Sequence, residues 1–156
     1  MITAADTNIL LDILIPNTKY LSSSKEMLDE AVQQGTIIIS EVVYAELASQ
    51  FDTEEELEEF LKETGIRLKP SSTKAMQRAG GAWKDYATRR NKDLQCPKCG
   101  KRHRIECTGC GELIIPRQHI LSDFWVGGHA EEMADVLLTR DRGYYRTYFK
   151  GLKLKP

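Results

Sequence analysis

Short, almost continuous apolar runs alternate along this chain with segments whose apolar positions recur at helical spacing. Ile2 to Ala5 is one such run and predicts a first strand ending at Asp6. Thr7 to Leu14 has apolar residues at 9, 10, 13 and 14, which predicts a helix stopped by Pro16. Lys19 to Gln34 carries a second helical stripe, at 21, 27, 28, 31 and 32, and halts at Gly35. The β-branched run TIIIS (36–40) predicts a buried strand, and EVVYAELASQ (41–50) a helix. Thr53 with Glu56 three residues on is a capping-box signature for a helix reaching about Thr64, before Gly65. Ile66 to Leu68 reads as a short strand closed by Pro70, and Ser72 to Arg90 as a long helix with Gly80-Gly81 a soft point in its middle. Beyond about residue 113 the pattern predicts a helix from near Ser122 to Met133 and a buried strand, ADVLLT, at 134–139. A helix from Arg142 to Phe149 and a last strand at Leu152 to Leu154 follow. Strands that are apolar throughout and separated by helices predict a parallel sheet covered on both faces: an α/β fold.

Composition sharpens this modestly. A chain of 156 residues, 41% hydrophobic and 29% charged, is long enough for a core of its own and reads as one globular domain. No apolar run approaches the roughly 20 residues of a membrane span. The first residues lack a basic region and carry Asp6 and Asp12, so they read as mature structure rather than a signal peptide. A cytoplasmic setting with reduced thiols is the expectation. The net charge of −1 excludes a global basic field. Its distribution is uneven: residues 52–63 hold seven acids and one base, residues 84–104 eight Lys/Arg and two Asp. The acidic run reads as a solvated helix face. The basic one is either the same or a surface that holds phosphates by counterion release.

All four cysteines fall in one short segment, Cys96, Cys99, Cys107 and Cys110, spaced C-x2-C-x7-C-x2-C within CPKCG and CTGCG. Two such pairs supply the tetrahedral sulfur set of a structural zinc. A glycine after each pair, Gly100 and Gly111, frees the backbone to turn around the sulfurs. Disulfides are disfavoured by compartment, and a redox C-x-x-C needs no second copy. Four thiolates on a 2+ ion leave two negative charges, which Lys98, Lys101, Arg102 and Arg104 are placed to offset while offering contacts to RNA. His103 reads as a surface residue rather than a further ligand. Residues of about 93–112 are thus expected to form a small zinc ribbon, folded by its metal, inserted in the α/β domain.

Carboxylates mark the other candidate site. Asp6 follows the first strand directly, and Asp141 follows VLLT with one residue between. In a parallel α/β sheet the crevice at the carboxyl ends of the strands is where ligands bind. Glu46 and Asp123, on neighbouring helices, are placed to point back to it. Four carboxylates brought together repel unless a cation lies among them, and hard oxygen donors select Mg2+ or Mn2+. Taken singly, each acid also reads as a helix cap or surface charge. Asp12, Glu41, Asp135, His119 and His129 read as structural, Trp83 and Trp125 as core or interface anchors, and Gly127-Gly128 as a point of close helix packing.

DTNILLD (6–12), VVYAEL (42–47), SDFWVGGHA (122–130) and LLTRDRGYY (137–145) resemble, in order, the four signature blocks of PIN-domain nucleases, including the VapC-type toxin ribonucleases. The resemblance covers about 1–92 and 113–156. It implies a three-layer α/β/α PIN-like domain that hydrolyses RNA at an Mg2+- or Mn2+-dependent site. Asp6, Glu46, Asp123 and Asp141 match the metal-binding acids of that family, and Asn8 and Thr139 the polar positions supporting them. The cysteine segment and the FWVGGH residues depart from the plain toxin form, which leaves an antitoxin partner open beside a homodimer or a ribosome-related assembly. The rival from another class is a non-catalytic RNA- or protein-binding module working through the zinc ribbon.

Overall fold

A computed structural model describes residues 1–15, 18–89, 93–95, 99, 101–114 and 119–155. In chain order the elements are β1 (Ile2–Ala5), α1 (Thr7–Leu14), α2 (Leu21–Gln34), β2 (Thr36–Ile39), α3 (Glu41–Ala48), α4 (Glu54–Thr64) and β3 (Arg67–Leu68). They continue with α5 (Thr73–Arg89), β4 (Leu94–Gln95), β5 (Arg102–His103), α6 (Leu121–Met133), β6 (Val136–Leu138), α7 (Arg142–Tyr148) and β7 (Leu154–Lys155). Five strands form one sheet in the order β3-β2-β1-β6-β7, every pair parallel. Thr3 is in register with Ile37 on one side and Val136 on the other, so β1 is the central strand. The sheet is flanked by helices, as the unbroken apolar strands required.

The core is continuous across the sheet. Ala4, Ala5, Ile37, Ile39, Leu137 and Leu138 are buried from the strands, and Ile9, Leu10, Val43, Leu47, Phe124 and Ala130 from the helices. A hydrophobic side chain fully withdrawn from water contributes roughly 1.5–3 kcal/mol. Helix α5 packs tightly against α6. A Cβ built on Gly128 would lie 2.5 Å from the Ala75 carbonyl oxygen and 2.9 Å from the Ala79 nitrogen. One built on Gly127 would lie 2.3 Å from the Phe149 ring. The two glycines therefore set how near α6 comes to its neighbours.

Local signals account for the element ends. The Thr53 hydroxyl accepts from the Glu56 amide at 3.3 Å, while the Glu56 carboxylate reaches back to the Asp52 amide at 3.2 Å. Gly65 closes α4 in the left-handed region at φ 69°. Two expectations shift. Helix α2 begins at Leu21 rather than Lys19, whose ammonium lies over the Tyr20 ring instead. Helix α5 runs without a break through Gly80-Gly81, because the flanking Ala79 and Ala82 are buried in the core and hold that turn. Among the described residues, no helix is long and apolar enough to cross a membrane.

Candidate functional site

The sheet order fixes where a site can form. From central β1 the chain passes to β2 on one side, while β6 arrives on the other, so the crevice opens at the carboxyl end of β1. Asp6 sits there, its amide donating to the Leu138 carbonyl at 3.0 Å. It precedes α1, but its carboxylate makes no capping bond. Three side chains converge instead on its Oδ2: the Asn8 amide at 2.7 Å, the Thr139 hydroxyl at 2.7 Å and the Tyr145 phenol at 3.3 Å.

Thr139 is the joint between the strand ends. It is fully buried, and its Oγ1 also accepts from Asn8 Nδ2 at 3.2 Å and from the Asp141 amide at 3.1 Å. Asn8 in turn accepts the Arg140 amide at 3.2 Å. Arg140 is held by Asp12 at 3.0 Å and lies over the Tyr20 ring. Asp12 is buried and also accepts from Ser24 Oγ at 2.7 Å, a structural role.

Burial pushes the Asp6 carboxyl up, and the Glu46 charge adds to the effect; the hydrogen bonds from Thr139, Tyr145 and Thr7 oppose it, leaving it at about 6. Glu46 projects from α3 and accepts a hydrogen bond from the Thr7 hydroxyl, tying it to the residue after Asp6. Asp141 precedes α7 and, like Asp6, makes no side-chain capping bond. Asp123 does cap: its Oδ2 accepts from the Ile120 amide at 2.7 Å and lies 3.7 Å from His119 Nδ1.

Glu46 lies near enough to Asp6 for its charge to be felt there, and the Tyr144 phenol feels Asp6, Asp123 and Asp141 together. Burial holds the Tyr144 phenol far above its ordinary range, and the charges of Asp123, Asp141 and Asp6 push the same way. Its hydroxyl is buried and has no hydrogen-bond partner. Among the described residues, no three carboxylate, histidine or cysteine side chains are drawn into a ready cage for a metal. Thr7 engages Glu46, and the start of α6 engages Asp123. The donor set is nonetheless all hard oxygen. Hard oxygen donors of this kind suit a divalent cation such as Mg2+ or Mn2+.

Thr7 and Tyr145 carry no signal of their own in the sequence, and His119 reads there only as structural. The only signal lay in position: Thr7 follows Asp6, Tyr145 lies one helical turn after Asp141, and His119 one turn before Asp123. His119 stacks on Tyr144 with ring centroids 4.4 Å apart. His129 is buried with Nε2 2.8 Å from the Lys69 carbonyl, and burial lowers its pKa. Glu41 accepts from the Ser71 amide and hydroxyl, and Asp135 accepts the Ile2 amide at 2.7 Å.

No protein-family model matches the chain, and no curated protein does. Solved structures do. A chain of VapBC2 from Rickettsia felis, bound to a DNA fragment from their promoter, aligns at TM-score 0.59 and 21% identity, over 99% of this chain and 98% of that one. A chain of VapBC-1 from nontypeable Haemophilus influenzae aligns at TM-score 0.61 and 17% identity, over 99% and 97%. A chain of FitAcB from Neisseria gonorrhoeae aligns at TM-score 0.56 and 15% identity, over 100% and 97%. The fold is the PIN-like one. At these identities the likeness concerns the fold alone, and that fold places the β1 and β6 ends side by side.

The cysteine segment forms a separate two-stranded unit in this PIN-like chain. Strands β4 and β5 are antiparallel, with Leu94 opposite His103, and Cys99 lies in the connection between them. A second hairpin is closed by the bridge of Glu106 with Leu113 and by the Ile114 amide donating to the Ile105 carbonyl at 2.8 Å. Cys107 and Cys110 sit at its turn, where the Gly111 amide donates to the Cys107 carbonyl at 2.8 Å with φ 76°. The amides of Cys110 and Gly109, directed at the Cys107 sulfur, lower that thiol. Cys99 and Cys110 are exposed, as are Lys101, His103 and Arg104. Cys96 and Lys98 lie outside the described residues, as does the side chain of Arg102.

Proposed function

We propose that this chain is a metal-dependent endoribonuclease of the PIN type, with Asp6, Glu46, Asp123 and Asp141 as the residues that hold one or two Mg2+ or Mn2+ ions. The observation that carries the reading is the state of Asp6. It is a buried carboxylate at the switch point of a parallel sheet, fixed by Asn8, Thr139 and Tyr145 and raised by burial and by Glu46. When bound, the ion supplies an activated water and stabilises charge on the scissile phosphate.

The chain's own residues do the rest. Asn8, Thr139 and Tyr145 engage one oxygen of Asp6 and fix its orientation. Tyr145 stays protonated as a donor, since burial and the Asp6 charge hold its phenol well above the ordinary range. Thr7 orients Glu46 toward the start of α1. Asp141 is left without a capping duty, so its carboxylate is available. Cys96, Cys99, Cys107 and Cys110 are assigned to a structural zinc, a reading supported by their C-x2-C-x7-C-x2-C spacing and by Cys107 and Cys110 lying together at one hairpin turn. Lys98, Lys101, Arg102 and Arg104 on that arm hold the RNA backbone.

A toxin paired with an antitoxin is the second reading, favoured by the near-complete alignment with chains of VapBC and FitAcB assemblies. It specifies the protein partner and leaves the chemistry unchanged. The test is cleavage of single-stranded RNA with Mn2+. EDTA should stop it, and Asp6→Asn should lower the rate by two or more orders of magnitude. RNA cut equally well by Asp6→Asn would remove the site assignment, and a wild type that binds RNA without cutting would favour the binding module.

A further inference from the structure

Tyr144, on α7, takes no part in the roles above. The residue is 7% exposed, and its hydroxyl is buried without a hydrogen-bond partner among the described residues. The charges of Asp123, Asp141 and Asp6 all reach that phenol, yet it donates to none of them. A buried hydroxyl left unpaired is costly, and phenylalanine would fill the same space without the cost. A position that keeps the oxygen calls for a partner from outside the chain.

The ring is clamped by its neighbours. His119 stacks on it with centroids 4.4 Å apart, and Phe124 and Tyr145 meet it edge-on at 4.9 and 4.7 Å. Two of these neighbours are tied to the acids: His119 Nδ1 lies 3.7 Å from Asp123 Oδ2, and Tyr145 donates to Asp6. The nearby carboxylate oxygens have donors of their own, three side chains on Asp6 Oδ2 and the Ile120 amide on Asp123 Oδ2. A divalent cation held by hard oxygens keeps several waters, and its charge makes each of them a strong donor. A phenol can accept such a bond as well as donate one. Burial keeps this phenol protonated, so it accepts without adding a further negative charge to the acids.

We propose that Tyr144 is a positioning residue of the carboxylate site, its hydroxyl accepting a hydrogen bond from a water in the hydration shell of the divalent cation. This rests on the metal-dependent reading and deepens it. The chain then contributes a neutral group that tightens the site for a hydrated ion and holds one of its waters in place.

Tyr144→Phe keeps the ring and removes only the oxygen. Mn2+ affinity, the exchange rate of Mn2+-bound water read by oxygen-17 relaxation, and metal-free thermal melts are measured on the full chain. Tyr148→Phe is the control. Its ring lies 5.7 Å from that of Tyr144, but the charges that reach its phenol are those of Tyr86, Arg89 and Asp85. Without metal, Tyr144→Phe should melt at or above wild type. It should bind Mn2+ about tenfold more weakly and exchange the bound water faster, while Tyr148→Phe matches wild type in both. Abolished binding in Asp6→Asn places the ion at the acids. Mn2+ affinity or water exchange equal to wild type in Tyr144→Phe overturns the inference. So does a metal-free melt well below wild type, which would show that the hydroxyl serves the fold. If wild type still binds Mn2+ and cuts RNA in either case, the nuclease reading survives alone. If wild type binds no Mn2+, both fall.

Discussion

Asp6 concentrates the question of what this molecule is for. Its carboxyl has an ordinary value near 3.8 and is held at about 6 in the fold, chiefly by burial. A folded-state pKa above the unfolded one means that the native state binds the proton more tightly. Stability from this group is therefore complete below pH 3.8 and declines as pH rises through 6, a difference of about 3 kcal/mol in order of magnitude. In metal-free protein at pH 8, Asp6→Asn should melt higher than wild type, and near pH 5 the gap should narrow. Mn2+ should raise the wild-type Tm at pH 8 and leave Asp6→Asn unmoved. Thermal melts at the two pH values, with and without the ion, check both signs; a variant less stable at either pH, in a protein indifferent to Mn2+, would make Asp6 structural. The sequence made Asp6, Asn8 and Thr139 legible because Asp6 and Thr139 lie at strand ends, Asn8 opens the helix after one, and each falls within a signature block. It hid Tyr145 and Thr7, whose roles depend on which neighbour the fold brings to them. Residue type at a spacing shows who is available, not who meets.

At the scale of elements, apolar continuity was an accurate guide. β1, β2 and β6 are fully or nearly buried runs, and all fall where the pattern predicted, with ends trimmed by a residue or two. Short edge pieces were harder. β7 forms at Leu154–Lys155 rather than 152–154, since its position is set by pairing with Leu137 and Leu138 and not by its own composition. The glycine pairs separate local propensity from packing. Gly80 and Gly81 have open space where a side chain would go, and α5 continues through them. Gly127 and Gly128 have none. Gly128→Ala would drive its methyl into the backbone of α5 at Ala75 and Ala79, which cannot move as a flexible side chain would. Overpacking of this kind costs about 1–3 kcal/mol, more than the helix propensity gained from alanine. A lower denaturant midpoint than wild type, equivalent to a loss of stability of that size, is expected, whereas Gly81→Ala should be neutral or stabilising. Equal midpoints for the two variants would show that α6 has slack the packing does not reveal. Because α6 carries Asp123, the same displacement should lower cleavage without touching a carboxylate.

The whole molecule combines two ways of holding a chain together. The sheet and its helices are held by a buried apolar core, but the arm has almost none: along 101–114, Cys107 and Leu113 alone among the residues of described burial are even half-buried. Two hairpins with so little to bury need another source of folding energy, which on the proposed reading is zinc bound by the four thiolates. The arm should therefore lose its structure when zinc is withdrawn while the sheet keeps its own. Native mass spectrometry should find one zinc per chain. A zinc-selective chelator should then erase the amide signals of the arm and leave those of Thr3, Ile37 and Leu137 in place. Loss of the core signals at the same step would mean that arm and sheet fold as a unit, and protein that never carries zinc would remove the ribbon. Lys101→Ala with Arg102→Ala tests the grip separately, because neither is a zinc ligand. If both hold phosphates, the slope of log affinity against log salt should flatten by about 1.4, at roughly 0.7 per charge on a single strand, with zinc content unchanged. An unaltered slope would confine the arm to stability or to a protein partner. On the proposed reading, the apolar core sets the carboxylates for cleavage, and the zinc-held arm brings them the strand.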